Sequence, residues 1–336
     1  MMKTLNIISL TGQHSSWLVA IGFLALLLLS SCGGSSSDDP VFTPVNTLVG
    51  KVFVLGSQYD NDNDKLIMYV TGTDPNGNPL TLAQLQAASV TVGNTSYPSS
   101  GPELSVTDVV EGDKILSLSL VTDWSNSTNG ELGLVAGIYS QMLDNLPLVY
   151  DAQVMTFSDA LEIQLPWTEA FIGTGLADIK AAVSLPHSVR NMTALYDSMG
   201  AALEADPGDL TDGLIDQCRP AHMLVVFTDG NDNKSFVYSA SALAALANAD
   251  KTVVIMLGTS DAIPGVLTTL AGDYGAVVQV SDIAGLVGEV HNWSASLKSM
   301  HKLTLSGVYV PGDTVSITIN SQTAVVDPNL HCTPIP

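Results

Sequence analysis

The sequence predicts an α/β fold: a doubly wound, mostly parallel sheet over residues 114–300, with β-sandwich-like segments on either side of it. Compact apolar runs alternate with helical stretches in this region, which is the pattern of βαβ units. Several runs are apolar at nearly every position, as in strands that are buried on both faces of a parallel sheet. The predicted strands are 115–121, 152–157, 222–228, 252–257 and 276–280, with an edge strand at 161–165 that Pro166 closes.

Helical stretches lie between these strands, and the flanks of the α/β region have a different character. The predicted helices are 134–146, 176–183, 193–203, 239–249, 264–271 and 283–297. Short β-rich runs and dense turn signals predict an immunoglobulin-like sandwich module over residues 48–113. Residues 301–336 are predicted to form a C-terminal hairpin, from strands 301–310 and 314–320, followed by a tail. We expect this hairpin to pack on the first module.

The first 31 residues are predicted to be a lipoprotein signal peptide. The apolar run 17–29 has 13 residues, whereas a membrane-spanning helix needs about 20. It ends in Leu-Ser-Ser before Cys32, which resembles the bacterial lipobox and implies that Cys32 is lipidated. The alternatives are an uncleaved anchor helix and a Cys that occurs at this position by chance. Residues 32–47, rich in Gly and Ser at the start, are predicted to be a flexible tether.

Charge and cysteine content narrow the possible partners and the compartment. The chain has 33 acidic and 11 basic residues, a net charge of −22, which argues against nucleic acid and anionic membrane surfaces as partners. Divalent cations fit this charge better. Cys218 and Cys332 remain after lipidation of Cys32, and two thiols in an oxidising compartment are expected to pair as a disulfide. Two unrelated free thiols are the alternative.

Oxygen-bearing side chains follow predicted strands at three places in the α/β region. Asp123, Ser125 and Ser127 come after the first strand, Asp229 follows strand 222–228, and Thr193 lies between them in the chain. Ligands bind at the carboxyl ends of strands in open α/β sheets. Hydroxyl and carboxylate oxygens suit Mg²⁺, which keeps several waters, and neutral hydroxyl ligands leave the ion able to bind an external carboxylate. The pattern therefore predicts a ligand-binding metal site.

These residues form three motifs in order along the chain: Asp-x-Ser-x-Ser at 123–127, Thr-Ala-Leu-Tyr-Asp at 193–197 and Thr-Asp-Gly at 228–230. Together they resemble the metal-ion-dependent adhesion site of von Willebrand factor type A domains, over about residues 114–300. The resemblance implies that Ser125 and Ser127 bind the metal directly and Thr193 directly or through water. It gives Asp123 and Asp229 supporting or water-mediated roles.

Two positions depart from the family pattern, and a second threonine is a candidate for the role given to Thr193. Trp124 and Thr128 are not the residues expected within and after the first motif; Trp124 is predicted either to form part of the ligand rim or simply to pack. Thr174 competes with Thr193, which is preferred because the residues that follow it match the family. A degenerate site, in which these Ser, Thr and Asp residues only cap helices and loops, is the alternative.

The function expected from these observations is partner capture by a bacterial envelope lipoprotein. Cys32 would anchor the chain, and Gly33 after it resembles the residue found in lipoproteins that are sorted to an outer membrane. A protein partner would present an Asp or Glu carboxylate to bound Mg²⁺ (or Mn²⁺ or Ca²⁺). A metal-independent scaffold or assembly factor is the alternative. An enzyme is not expected: a Gly-x-Ser-x-Gly elbow and clustered His and Cys are absent from the sequence. Ser125 stands where an aspartyl phosphotransferase would want a second carboxylate.

Overall fold

A computed structural model describes residues 42–109, 116–128, 130–146, 150–185, 190–205, 221–229 and 231–328. The predicted signal peptide, Cys32, Cys218 and Cys332 lie outside these ranges, as does the predicted tether up to residue 41. The tether prediction is wrong at its end, because Val45–Asn46 forms a strand that pairs with Val278 and Gln279. None of the helices within the described ranges combines the length and the apolar content that a membrane crossing requires.

The elements alternate as the sequence predicts over the α/β region. In chain order the strands are β1 (Val45–Asn46), β2 (Val52–Asp60), β3 (Lys65–Gly72), β4 (Ser89–Val92), β5 (Thr95–Pro98), β6 (Leu104–Asp108), β7 (Leu116–Asp123), β8 (Tyr150–Phe157), β9 (Leu161–Glu169), β10 (Ala221–Thr228), β11 (Val253–Gly258), β12 (Ala276–Gln279), β13 (His301–Ser306), β14 (Val315–Ile319) and β15 (Gln322–Val326). The helices are α1 (Leu82–Leu85), α2 (Leu132–Asp144), α3 (Gly175–Val183), α4 (Leu195–Glu204), α5 (Ala240–Ala249), α6 (Pro264–Ala271) and α7 (Ile283–Lys298).

The central sheet has the strand order β1-β12-β11-β10-β7-β8-β9. The strands β7, β8, β10, β11 and β12 run parallel, whereas β9 and β1 are antiparallel additions at the two edges. Counted from β7 to β12, the order is 3-2-1-4-5-6, that of a doubly wound sheet, and its switch point lies between β7 and β10. The fold class predicted from the sequence is confirmed.

Both faces of this sheet are covered by helices, which explains the continuous apolar runs. On one face, Leu118 of β7 belongs to a core with Ile138 of α2 and Leu286 of α7. On the other, Val226 of β10 shares a core with Leu195 of α4, together with side chains of α5 and α6. Every residue of β7, β8, β10 and β11 is buried. Because helices cover both faces of the sheet, the carboxyl ends of its strands are left open.

Strands from both flanks of the α/β region build one sandwich of two four-stranded sheets, β2-β3-β13-β6 and β15-β14-β4-β5. The pairing of segments 301–310 and 314–320 predicted from the sequence is wrong, because β13 pairs with β3 and β6 while β14 lies in the opposite sheet. The C-terminal hairpin is instead β14–β15. Asn320 and Ser321 connect its strands with φ of 48° and 66°, the paired positive values of a tight type I′ turn.

The edge strand β9 differs from its prediction at one end. It was expected to stop at Pro166, but it continues to Glu169. The β8–β9 register is irregular there: Val154 faces Leu165 and Ala152 faces Thr168. Proline is tolerated at bulges and on edge strands, where its missing N–H removes no bond from a central ladder. The strand therefore passes Pro166 through an irregularity.

Candidate metal-binding site

Two neighbouring strands carry the first and last sequence motifs to the switch point. Parallel pairing of β7 with β10 sets Thr122 opposite Phe227, so Asp123 and Thr228 emerge side by side. The Thr228 hydroxyl donates to Oδ2 of Asp123 at 2.8 Å. Strand register alone therefore brings together two motifs that are about a hundred residues apart in the chain.

The carboxylate of Asp123 is enclosed by the protein. The residue is fully buried, and its Oδ1 accepts the Ser125 backbone N–H at 2.9 Å. Burial raises the pKa of Asp123 to about 6, with the nearby charge of Asp229 acting in the same direction and the hydrogen bonds from Ser125 and Thr228 opposing it. Because protein donors contact both oxygens, the geometry suits a carboxylate that orients the loop.

The loop after Asp123 turns its two serine hydroxyls to the same side. The Oγ atoms of Ser125 and Ser127 are 3.0 Å apart. Thr128 is buried beneath them, with its Oγ1 at 2.8 Å from the Asp123 carbonyl oxygen and 3.0 Å from that of Ser125. The residue that departs from the family pattern, Thr128, thus ties the loop back onto the end of β7.

A cavity of about 410 Å³ lies at this edge of the sheet. It is lined by Ser127, Thr193, Asp229, Asn231, Asn233 and Asp261. The structure therefore brings the predicted residues Ser127, Thr193 and Asp229 together, with Ser125 hydrogen-bonded to Ser127.

Asp123 and Ser125 are not among the residues that line this cavity, and neither are Thr174 and Trp124, the two other positions considered from the sequence. Thr174, the competitor of Thr193, is exposed and donates to the Asp178 carboxylate at 2.6 Å. Trp124 is half-buried, and its backbone N–H donates to the Phe157 carbonyl. The position of Thr174 favours Thr193 as the site threonine, and the rim role of Trp124 stays a prediction.

Thr193 is held in place by the segment that follows β10. Its backbone N–H donates to Oδ1 of Asn233 at 2.8 Å, and its carbonyl accepts the Asn233 N–H at 3.0 Å. The sequence analysis did not single out Asn231 or Asn233. They lie two and four residues after Asp229 in the chain, so extending the third motif by a few residues would have found them.

Acidic side chains surround the cavity. Asp261 lines it, and the pKa of Glu131 is raised, first by burial and then by the charges of Asp229, Asp261 and Asp282. Asp261 was also missed by the sequence analysis. It follows β11, whose carboxyl end lies at the same edge of the sheet as that of β10, so applying the strand-end rule to every parallel strand would have identified it.

The donor set fits a small, hard cation. Mg²⁺ takes oxygen ligands in a near-octahedron at 2.0–2.1 Å, which places two adjacent ligands about 2.8–3.0 Å apart. The two serine Oγ atoms have this separation, 3.0 Å. No group of three or more His, Cys, Asp or Glu side chains that could hold a metal occurs in the described parts of the chain. The oxygen atoms gathered here are hydroxyl and carboxylate oxygens, the ligand type that hard divalent cations prefer.

A doubly wound sheet carries the Asp-x-Ser-x-Ser loop at its switch point, with Thr193 and Asp229 on one cavity beside it. This is the arrangement that the resemblance to von Willebrand factor type A domains implies. The fold that this resemblance implies is confirmed for the α/β region.

Searches of known proteins place this chain among similar folds. The structure of proximal thread matrix protein 1 from the mussel byssus has 21% identity and a TM-score of 0.46; the match covers 58% of this chain and 49% of that one. This chain thus spans about half the length of the mussel protein, which has also been solved "with zinc occupied MIDAS motif".

A von Willebrand factor type A protein from Catenulispora acidiphila has 12% identity and a TM-score of 0.44, with 82% of this chain and 70% of that chain covered. The conserved hypothetical protein BatB from Bacteroides thetaiotaomicron has 17% identity and a TM-score of 0.39, with 52% and 97% covered. No protein-family model and no curated protein matches the chain. At these identities the likeness concerns the fold alone.

Proposed function

We propose that the type A domain captures a protein partner through a divalent cation, Mg²⁺ or alternatively Mn²⁺ or Ca²⁺. The observation that carries the proposal is the paired hydroxyls of Ser125 and Ser127 beside an open cavity that Thr193 and Asp229 also line. Ser125, Ser127 and Thr193 would hold the cation, Asp229 would support it, and Asp123 would orient the loop. When bound, the cation supplies a positive centre that accepts an Asp or Glu carboxylate from the partner.

The charge around the cavity supports a cation-dependent mechanism over a metal-independent scaffold. Asp229 and Asp261 face the cavity, and Glu131 lies close enough for their charges to raise its pKa. Like charges disfavour the approach of an acidic group, and a divalent cation reverses the sign of this local field. A partner that offers a carboxylate should therefore be repelled from the cation-free domain and bound by the loaded one.

Metal binding is tested with a matched pair of threonine variants. We expect calorimetric titration with Mg²⁺ to show at least about a tenfold weaker affinity for Thr193→Ala, the size of loss typical for groups that position a metal site. Thr174→Ala, which removes the competing threonine, should bind as the wild type does. Equal affinities for the two variants would contradict the assignment of Thr193.

Partner capture is tested with envelope extract, using wild type and Asp229→Ala, each with and without a chelator. The expected prey appears only with the wild type in Mg²⁺. Identical prey in all four samples would instead support the metal-independent scaffold. Turnover of ester or phosphoester substrates that falls on Ser125→Ala would contradict the proposal that the domain binds and does not catalyse.

The proposed setting is the bacterial envelope, with the chain anchored to the outer membrane through lipid on Cys32. We expect metabolic labelling with an alkyne fatty acid to mark the wild type and to leave Cys32→Ser unmarked and released from the membrane fraction. Cys218→Ser, which leaves the lipobox intact, is the control and should remain labelled. Labelling of Cys32→Ser would show that the lipid is attached to a residue other than Cys32.

A further inference from the structure

Residues 231–238, which we name the platform loop, connect the end of β10 to the start of α5 and expose two large apolar side chains in succession. Phe236 is 84% exposed and Val237 is 76% exposed. The Lys234 ammonium lies 5.4 Å from the centre of the Phe236 ring. Apolar side chains at this degree of exposure, next to each other and beside a candidate binding site, indicate a contact surface.

The two exposed residues are fixed by their backbone and do not form a loose tip. Asp197, on the first turn of α4, accepts the backbone N–H groups of Phe236, Val237 and Tyr238 at 2.9, 2.9 and 3.0 Å. The Tyr238 ring packs so closely on α4 that a Cβ atom added at Gly200 would lie 2.3 Å from it. The Tyr238 hydroxyl also hydrogen-bonds Glu204.

The first half of the platform loop holds a residue of the candidate metal site in position. Asn233 exchanges two hydrogen bonds with Thr193 and lines the cavity. Ser235 donates to the Asp232 carboxylate at 2.6 Å and accepts the Asp197 backbone N–H at 2.9 Å. One rigid segment therefore positions the site threonine and presents the apolar pair.

The candidate metal site and the exposed apolar pair are separated by a short distance. Asn233 lines the cavity, and Phe236 is three residues further along, so their Cα atoms are at most about 11 Å apart for an extended chain. A bound polypeptide covers that distance with about three residues. Resting on the proposed function, we infer that the protein partner carries an apolar side chain within about three residues of its coordinating carboxylate, and that Phe236 and Val237 receive it. The net charge of −22 disfavours an anionic membrane surface as the occupant, whereas the bound cation would attract the carboxylate of a protein partner.

Synthetic peptides test this inference without knowledge of the natural partner. Three fluorescent peptides share a glycine-serine background: the first has one Asp, the second has the same Asp with a Leu two residues after it, and the third replaces that Asp by Asn and keeps the Leu. Fluorescence anisotropy measures their binding to the full-length protein in Mg²⁺ and in chelator. The test variant is a double variant that carries both Phe236→Ser and Val237→Ser. Val325→Ser is the matched control, since Val325 is 80% exposed on β15.

We expect the peptide with Asp and Leu to bind the wild type and Val325→Ser about tenfold more tightly than the peptide with Asp alone. In the double variant this preference should vanish while binding of Mg²⁺ and of the Asp peptide is unchanged. Equal affinities of these two peptides for the wild type, or a preference that survives in the double variant, would overturn the inference. If Mg²⁺ fails to strengthen binding of the Asp peptide, the proposed function fails. The third peptide, which keeps the Leu and lacks the carboxylate, then tests the apolar contact by itself: it should bind the wild type more tightly than the double variant.

Discussion

The hydroxyl of Thr228 donates to the buried carboxylate of Asp123 across 2.8 Å, and this bond joins the ends of the two strands on either side of the switch point. The same carboxylate accepts the backbone N–H that begins the serine loop. The position of the paired hydroxyls of Ser125 and Ser127 therefore depends on a contact between two strands that are not consecutive in the chain.

Replacing Thr228 by Val keeps the shape of the side chain and removes this donor. We expect the free energy of unfolding to fall by about 1–3 kcal/mol, the usual cost of leaving a buried polar group with fewer partners. Mg²⁺ affinity should fall with it, because the orientation of Asp123 is relaxed. Urea unfolding and calorimetry measure the two effects. Thr318→Val, at a partly exposed Thr–Thr contact on β14, is the control and should change neither quantity.

Asp197 makes stability depend on pH in the acidic range. Burial alone would raise the pKa of this carboxyl, but the three N–H groups of residues 236–238 outweigh burial and lower it. A pKa below that of the unfolded chain contributes stability above about pH 4, which is lost as the pH falls through the lower folded-state value. Asp197→Asn should therefore lower the free energy of unfolding at neutral pH, because a neutral amide accepts these N–H groups less strongly than a carboxylate does.

The difference between wild type and Asp197→Asn should shrink when urea unfolding is moved from neutral pH into the acidic range, as the pH approaches the lowered folded-state pKa of Asp197. A difference that is the same at both pH values would show that the charge of Asp197 is not what the loop N–H groups recognise.

At Gly200 we expect substitution by alanine to destabilise the protein, the opposite of its usual effect inside a helix. Gly→Ala inside a helix ordinarily stabilises by about 0.5–1 kcal/mol, but a Cβ at Gly200 would lie 2.3 Å from the Tyr238 ring. Gly200→Ala should lower the melting temperature and expose the platform loop to protease. Gly288→Ala in α7, where an added Cβ meets no atom within 4 Å, should raise it. A stabilised Gly200→Ala would contradict the close packing of Tyr238 on α4.

A buried serine–histidine pair on the sheet is predicted to be structural. The Ser119 Oγ lies 2.8 Å from Nε2 of His222 and accepts the Gln153 side-chain N–H at 2.7 Å. Both Ser119 and His222 are buried. Ser119→Ala should reduce stability by about 1–3 kcal/mol and leave Mg²⁺ affinity unchanged, because Asp123 is four residues further along β7. Ester hydrolysis that disappears in this variant would show instead that the pair is catalytic.

Local sequence patterns were enough to predict the parallel strands of the central sheet, because strands buried on both faces are apolar at nearly every position. They did not predict the edge strand β1, which lies in the segment expected to be a tether. The same patterns failed where pairing is set by distant segments. The segments 301–310 and 314–320 alternate like a hairpin, yet β13 inserts between β3 and β6. Alternation shows only which face of a strand is buried and does not identify the neighbouring strand.

The sequence by itself determined the fold class and the residue types of the candidate site, since periodicity and the three motifs are local properties of the chain. Only the tertiary structure decided that Asn233 and Asp261 join Thr193 at one cavity, and that Asp197 holds Phe236 and Val237 in exposed positions. The physical reason is that these contacts form between loops, whose positions are set by how the strands and helices that carry them pack together and not by any repeat in their own sequence.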